Sequence, residues 1–337
     1  MAITIYDVAK LAGVGLGTVS RVLNNSPAVK DSTRQRVQAA IKQLDYTPDP
    51  IARSMNRGRN DTGTLAVIIP FFTRPFSIEV LRGIEASTSR LGYEMVIYNI
   101  KNDEQRDDCF RRLPMSRKVD GLLIVSLSLK DKYIPNISRV QIPTILVDAY
   151  NPSLTSIVIN NVDGAYNAMK HLLNKGHRRI GFINGEIEGN FKFNQANDRL
   201  IGVHRALGEA GLDFEPELVE ISSWDRQGGR AASARLLGLK NPPTAIFAAS
   251  DVQALGTLET ARTLKLAVPG DLSIIGFDGI ELSEWLQLTT IQQPMYQMGE
   301  MGLTMLMEQI ENPQKPPELI RLNTELIERN TTGSPKL

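Results

Sequence analysis

Three aspartates and one arginine carry the densest chemical signal in this 337-residue sequence. Asp148 follows Ile145-Leu-Val147, Asp251 follows Ala245-Ile-Phe-Ala248 with Ser250 before it, and Asp278 follows Ser273-Ile-Ile-Gly276 and Phe277. Each stands just after an apolar run of the kind that forms a buried parallel strand. Arg199 opens a stretch with helical periodicity. Carboxylates and a guanidinium make charge-assisted hydrogen bonds to hydroxyls, so the set suits a polyhydroxylated ligand. Phe71, Phe72 and Phe76 follow another apolar run, and Trp224 follows Val219-Glu-Ile221. Aromatic faces suit the C–H face of a sugar or a base. Phe71 and Phe76 suit a buried core equally well, and Asp251 also suits a helix cap.

Other chemistry has little support. There is no Gly-x-Ser-x-Gly elbow and no P-loop. Gly13, Gly15 and Gly17 do not make the Gly-x-Gly-x-x-Gly fingerprint, because Thr18 stands where the third glycine belongs. His171, His177 and His204 form no pair at metal-ligand spacing, and Cys109 is the sole cysteine, so neither a metal nor another cofactor is expected. Asp148 and Asp278 would serve a glycosidase only at a separation the sequence does not fix. A sugar-acting enzyme and a solute-binding receptor stay open as alternatives. No apolar run reaches the ~18–20 residues of a membrane span. The first residues lack the apolar core of an export signal, so a cytoplasmic, non-membrane protein is expected.

A second chemistry sits at the N-terminus. Residues 1–60 hold nine basic and four acidic residues, leaving the remainder at −4 within a net charge of +1. A basic head suits a polyanion. Thr4-Ile-Tyr-Asp7 has capping-box spacing and opens a helix that ends at Gly13, with Val8, Ala9 and Leu11 inward. A second helix runs over Thr18–Leu23, with Val19, Val22 and Leu23 on its core side and Thr18, Ser20 and Arg21 on its polar side. A third starts near Ser32, capped with Gln35, and places Val37, Ile41 and Leu44 on one stripe. Two short helices around a tight glycine turn form a helix-turn-helix unit, whose second helix enters the major groove. Arginine reads guanine there, and hydroxyls reach phosphates or base edges.

Ile5-Tyr-Asp-Val-Ala-Lys-Leu-Ala-Gly-Val14, Thr18-Val-Ser-Arg-Val-Leu-Asn24, Thr33-Arg-Gln-Arg-Val37 and Leu44-Asp-Tyr-Thr-Pro48 resemble the start of the lactose-repressor/galactose-repressor family. The likeness runs to Arg329-Asn-Thr-Thr332. It implies an effector-controlled transcriptional repressor that binds a palindromic operator as a homodimer. It implies DNA contacts by Thr4, Tyr6, Leu16, Gly17, Thr18, Ser20, Arg21, Asn24, Val29 and Thr33. It also implies contacts by Arg53 and Met55 of a hinge helix, with Met55 as the minor-groove wedge. Arg199 in Asp-Arg-Leu-x-Gly and Asp278 in Gly-Phe-Asp match effector positions of the family. Departures are Gly15 for the usual N-cap serine, Ser250 for a common asparagine, and Met295 where some relatives place an aromatic. The segment Gly176-His-Arg-Arg179 is common in the family and is expected to be structural.

From Thr64 onward strands alternate with helices, which implies parallel α/β sheets. A strand–helix–strand order recurs at an offset of roughly 115 residues. Together with that pattern, the family resemblance implies an all-α helix-turn-helix head (1–47), a hinge helix and linker (48–62) and a periplasmic-binding-protein-like body (63–332). The body comprises two doubly wound parallel-sheet subdomains, about 63–160 with 295–322 and about 161–291 with 323–332. A tail covers 333–337. Lacking a leucine heptad after Arg329, the chain is expected to stop at a dimer.

Overall fold

A computed structural model describes residues 3–23, 28–44, 46, 62–116, 118–186 and 194–336. Asn24, Arg53 and Met55 lie outside the described residues. Contacts divide the chain into two compact units, a small N-terminal head and a body.

The head contains α1 (Ile5–Ala12), α2 (Leu16–Leu23) and α3 (Asp31–Gln43). The Asp7 carboxylate accepts from the Thr4 backbone N–H at 2.8 Å and from the Thr4 hydroxyl at 2.7 Å. These bonds hold the Asp7 carboxyl below its usual range. Gly13 ends α1 in the left-handed conformation at φ 62°, which costs glycine little. Gly15 then opens α2, its carbonyl accepting from the Thr18 and Val19 amides, so the second helix starts at Leu16 rather than Thr18.

Two expectations for the head need correction. Leu11 is 46% exposed, and Ala12 is buried in its place beside Val8 and Ala9. Positions 8, 9 and 12 share a helical face that position 11 leaves. The third helix starts at Asp31, with Lys30 as N-cap and no side-chain cap bond, so Ser32 does not cap it. Val19, Val22, Val29, Val37, Ala40 and Tyr46 complete the head core.

The body opens with β1 (Thr64–Pro70), α4 (Pro75–Leu91), β2 (Glu94–Ile100), α5 (Asp103–Arg112) and β3 (Gly121–Val125). It continues through α6 (Ile134–Val140), β4 (Thr144–Val147), β5 (Thr155–Ile159), α7 (Asn161–Asn174), β6 (Ile180–Gly185) and α8 (Asn194–Glu209). Next come β7 (Val219–Ser222), α9 (Arg226–Leu237), β8 (Ala245–Ala248), α10 (Asp251–Thr263), β9 (Ser273–Asp278) and α11 (Glu281–Trp285). It closes with β10 (Thr289–Gln292), α12 (Met295–Glu311), β11 (Leu319–Leu322) and β12 (Glu325–Ile327).

One six-stranded sheet has the order β11-β5-β4-β3-β1-β2 and the other β12-β10-β9-β8-β6-β7. The two orders match strand for strand, so the recurring sequence pattern is a recurring topology. Central strands β1, β3, β4, β8 and β9 are almost wholly buried, as helices on both faces of a parallel sheet require. Their pairings are parallel, whereas β10 and β12 run antiparallel. The chain returns to the first sheet through α12, which packs on α4 and on β3, β4 and β5. A Cβ on Gly299 would lie 2.0 Å from the Val80 carbonyl, so α12 and α4 cross backbone to backbone. His177 is buried, with ring nitrogens bonded to the Thr244 and Ser273 hydroxyls and the Gly333 carbonyl. These bonds tie the last residues to β9.

Candidate functional site

In the head, α2 presents Leu16, Gly17 and Arg21 to solvent, with Thr18 and Ser20 half-buried beside them. Thr4 is exposed, Tyr6 is 68% exposed, and Thr33 is half-buried. Arg21 forms no ion pair with another described residue, which leaves its guanidinium available. Val29 is different. It is a core residue of the head, 8% exposed, so a DNA contact through its side chain does not fit; apolar burial outcompetes exposure there.

The body carries a cleft into which both sheets direct residues from their carboxyl ends. That is where ligands bind parallel α/β sheets. Its cavity holds about 100 Å³ and is lined by Phe71, Arg74, Phe76, Ser77, Ser126, Asp148, Gln195, Arg199, Trp224, Ser250, Asp278 and Gln293, among others. Phe71 follows β1, Ser126 follows β3, Asp148 follows β4, and Asp278 ends β9. All four have positive φ, 49°, 50°, 56° and 122° respectively. Non-glycine residues held there cost of order 1–3 kcal/mol each, and such strain gathers at functional sites.

Arg199 is the centre of the site. It is 3% exposed, its Nε donates to Asn161 Oδ1 at 3.0 Å, and its Nη1 donates to the Ala249 carbonyl. Its guanidinium carbon lies 3.7 Å from the Phe277 ring centroid and 5.5 Å from that of Trp224. Burial lowers its pKa, opposed by Asp278, Asp148 and Asp251, but an arginine stays charged in proteins.

Asp278 receives Gln293 Nε2 at 2.7 Å. Burial pushes its carboxyl up to about 8, with Asp251 and Asp148 adding to the effect and Arg199 opposing it. Asp148 Oδ2 accepts from the Ser126 hydroxyl at 2.6 Å and from Gln195 Nε2 at 2.7 Å. Its carboxyl rises to about 6, again through burial. Gln293 Oε1 is buried and accepts from no other described residue. A buried acceptor left unpaired costs ~1–3 kcal/mol, which a donor on a ligand would recover.

Trp224 stands against Gly185, where a Cβ would fall 1.8 Å from indole Cε2. Glycine is needed at that approach. Gly185→Ala should force the indole aside and destabilise the body by ~1–3 kcal/mol. A denaturant melt followed by the red shift or quench of tryptophan emission on unfolding would show it. An unchanged midpoint would mean the indole moves freely.

Of the sequence-assigned cleft residues, Phe71, Phe76, Asp148, Arg199, Trp224, Ser250 and Asp278 line the cavity. Ser250 does so while capping α10, its Oγ accepting from the Gln253 amide. Three do not line it. Phe72 is 38% exposed on the loop after β1. Met295 is buried at the start of α12 within the main core. Asp251 is fully buried behind the cavity wall. It accepts from the Gly279 and Ile280 amides at 2.7 and 3.0 Å, and from the Ser283 and Thr290 hydroxyls at 2.6 Å each. Burial raises its carboxyl to about 6 against those bonds.

Ser126, Gln195 and Gln293 escaped the sequence reading. The rule that found Asp148, looking just past a strand end, finds Ser126 after β3 and Gln293 after β10. Gln195 carries no such signal. A second, polar chamber of about 310 Å³ shares Ser126, Asp148 and Gln195 and extends to Asn161, Asp198 and Arg321. No group of three His, Cys, Asp or Glu side chains among the described residues is placed to hold a metal. No described helix is long and apolar enough to cross a membrane.

A helix-turn-helix head on a body with a polar, aromatic-walled cleft defines a ligand-responsive DNA-binding protein. The comparisons with known proteins agree. Residues 4–49 match the bacterial regulatory proteins of the lacI family, and residues 169–332 match a periplasmic binding protein-like domain. The HTH-type transcriptional repressor CytR of Escherichia coli is 35% identical over 335 residues, 98% of this chain and 96% of that one. The repressor PurR of Aliivibrio salmonicida is 31% identical over 97% of this chain and 98% of its own. Among solved structures, the lac repressor dimer bound to operator and the anti-inducer ONPF superposes with a TM-score of 0.86 at 26% identity. It covers 99% of this chain and 100% of that one. A CelR–cellobiose complex gives 0.71 at 29% identity, over 98% and 99%. The chain belongs to the lacI family; it is a transcriptional regulator, not an enzyme.

Proposed function

We propose that this protein is a repressor that binds a palindromic operator as a homodimer and is controlled by a small sugar-like effector in the cleft. The observation that carries the effector assignment is the cavity itself. A buried arginine, two carboxylates and an unpaired glutamine carbonyl converge there beside Phe71, Phe76 and Trp224. That is a hydrogen-bonding set for hydroxyls next to flat apolar walls. Solved relatives support the class, one with cellobiose and one, from Enterococcus faecium, with ribose. Operator DNA as partner puts the protein in the cytoplasm.

Thr4, Tyr6, Leu16, Gly17, Thr18, Ser20, Arg21 and Thr33 form the DNA-contacting face. Leu16 meets a thymine methyl and Gly17 allows close backbone approach. Phe71, Phe76, Asp148, Arg199, Trp224, Ser250 and Asp278 hold the effector, joined by Ser126, Gln195 and Gln293. Subdomain closure on the effector shifts operator affinity by a coupling of ~1–3 kcal/mol, reciprocal between the two ligands.

A thermal-shift screen of sugars, polyols and nucleosides tests the effector half. A ligand at 100 times its Kd adds about 2.7 kcal/mol, or roughly 2–4 °C. A flat screen across all three classes would remove the sugar-like effector. The DNA half is tested by Arg21→Ala on an operator selected from random DNA. Specific affinity should fall by ~1–3 kcal/mol while random-sequence affinity falls less. Equal losses would make Arg21 a phosphate anchor only.

A further inference from the structure

The hydroxyl-binding set leaves two cavity-lining groups unused. Arg74, on the loop between β1 and α4, lies with its guanidinium carbon 3.9 Å from the Phe71 ring centroid and faces the cavity beside it. No carboxylate of a described residue pairs with it; Asp225 and Glu186 act on it only at longer range. Burial lowers its pKa, yet the guanidinium keeps its charge and its donors. Ser77 also lines the cavity. It is 5% exposed, and its hydroxyl bonds to no other described residue. It belongs to the first turn of α4, where Pro75 and Phe76 line the cavity too. That turn contains no acidic residue. The first amides of a helix lack intrahelical partners and carry partial positive charge.

Asp148 and Asp278 both act on Arg199. Arg74, at the other end, has no counter-charge in the cavity lining. An unpaired guanidinium, the hydroxyl of a buried serine that opens onto the cavity and a helix N-terminus at one wall form an anion site.

We propose that the effector carries an anionic oxygen group, carboxylate or phosphate, seated between Arg74 and the first turn of α4, with its hydroxylated ring toward Asp278 and Arg199. This rests on the assignment of the cleft to a sugar-like effector. Recognition is then two-ended. Arg74, the Ser77 hydroxyl and the Phe76 and Ser77 amides take the anion, Pro75 having no N–H to offer, while Arg199, Asp278 and Gln293 take the hydroxyls.

The test is titration calorimetry on the full chain with matched probes. These are glucose against glucuronate and glucose 6-phosphate, ribose against ribose 5-phosphate, and inorganic phosphate alone. At least one anionic sugar should bind tenfold or more tighter than its neutral parent. The sugar acid and sugar phosphate arms tell which anion is taken. Arg74→Gln should erase that preference, Arg74→Lys should keep part of it, and Ser77→Ala should reduce it. Circular dichroism checks that each variant is folded. Neutral parents binding as tightly as the anionic sugars would overturn the proposal and leave the sugar assignment standing. So would a preference that survives Arg74→Gln. No binding by any sugar, neutral or anionic, would overturn both.

Discussion

Asp278→Ala is expected to leave effector-free operator binding within about twofold of the parent while abolishing the effector response. The carboxyl lines the cavity on a strained backbone, 6% exposed, and is bonded on one oxygen by Gln293. Removing a buried hydrogen-bonding partner of a ligand costs ~1–3 kcal/mol of binding. That is a loss of roughly 5-fold to 150-fold in effector affinity. Fluorescence anisotropy on the selected operator, with and without the ligand found by thermal shift, reads both quantities. An intact response would show that Asp278 does not touch the effector. A loss of operator binding without ligand would show that it holds the fold instead.

The same residue gives a pH signature. Its folded pKa, raised to about 8 by burial, stands above the unfolded value near 3.8. The native state therefore holds a proton that the unfolded chain releases. The associated stability is fully present below about pH 4 and is lost as pH rises through about 8, at up to about 1.4 kcal/mol per pH unit. His171 and His177, lowered by burial, act in the opposite direction, their stability being lost as pH falls. Asp278→Asn leaves both histidines in place. The parent should therefore lose stability relative to Asp278→Asn between pH 5 and 8, and run parallel to it above pH 9. Parallel melts across the whole range would mean that the carboxyl is ionised throughout.

What could be read in advance was whatever local chemistry decides. Thr4 with Asp7 starts α1, Gly13 ends it, and the apolar runs of β1, β3 and β4 are buried strands because helices cover both faces. The recurrence of strand order followed from periodicity alone. Side-chain direction was harder. Asp148 and Asp251 both follow strands, yet one lines the cavity and the other faces away. The difference lies in Gly279, Ile280, Ser283 and Thr290, distant in sequence and brought in by β9 and β10. Met295 sits beside a lining residue, Gln293, and turns into the core because α12 begins there. Val29 precedes Lys30, the N-cap of α3, and no local pattern distinguishes a buried valine there from an exposed one. Gln195 reaches Asp148 across 47 residues, a pairing that no spacing rule anticipates.

Asp251→Ala is expected to destabilise the body as strongly as emptying a core position. Its carboxylate is the acceptor for two amides and two hydroxyls, all buried or nearly so. Removing it strands all four donors, and each unpaired buried donor costs ~1–3 kcal/mol. With partial relaxation, about 3–5 kcal/mol is expected, typical of breaking a buried ionic network. That is at least a fifth of the ~5–15 kcal/mol available to an ordinary domain, and corresponds to a fall in Tm of roughly 10 °C. Asp251→Asn should be milder. Its amide oxygen still accepts from the Gly279 and Ile280 amides, and its amino group donates to the Thr290 hydroxyl, which can rotate to accept. Because Gly279 adjoins Asp278, the alanine variant should also weaken effector binding, and a stabilising mutation elsewhere should restore the Tm but not the affinity. An alanine variant that melts within a degree or two of the parent yet no longer binds effector would reverse the assignment. Asp251 would then be a ligand contact reached by rearrangement of the loop after β9, and the cavity wall would be more mobile than its hydrogen bonds imply.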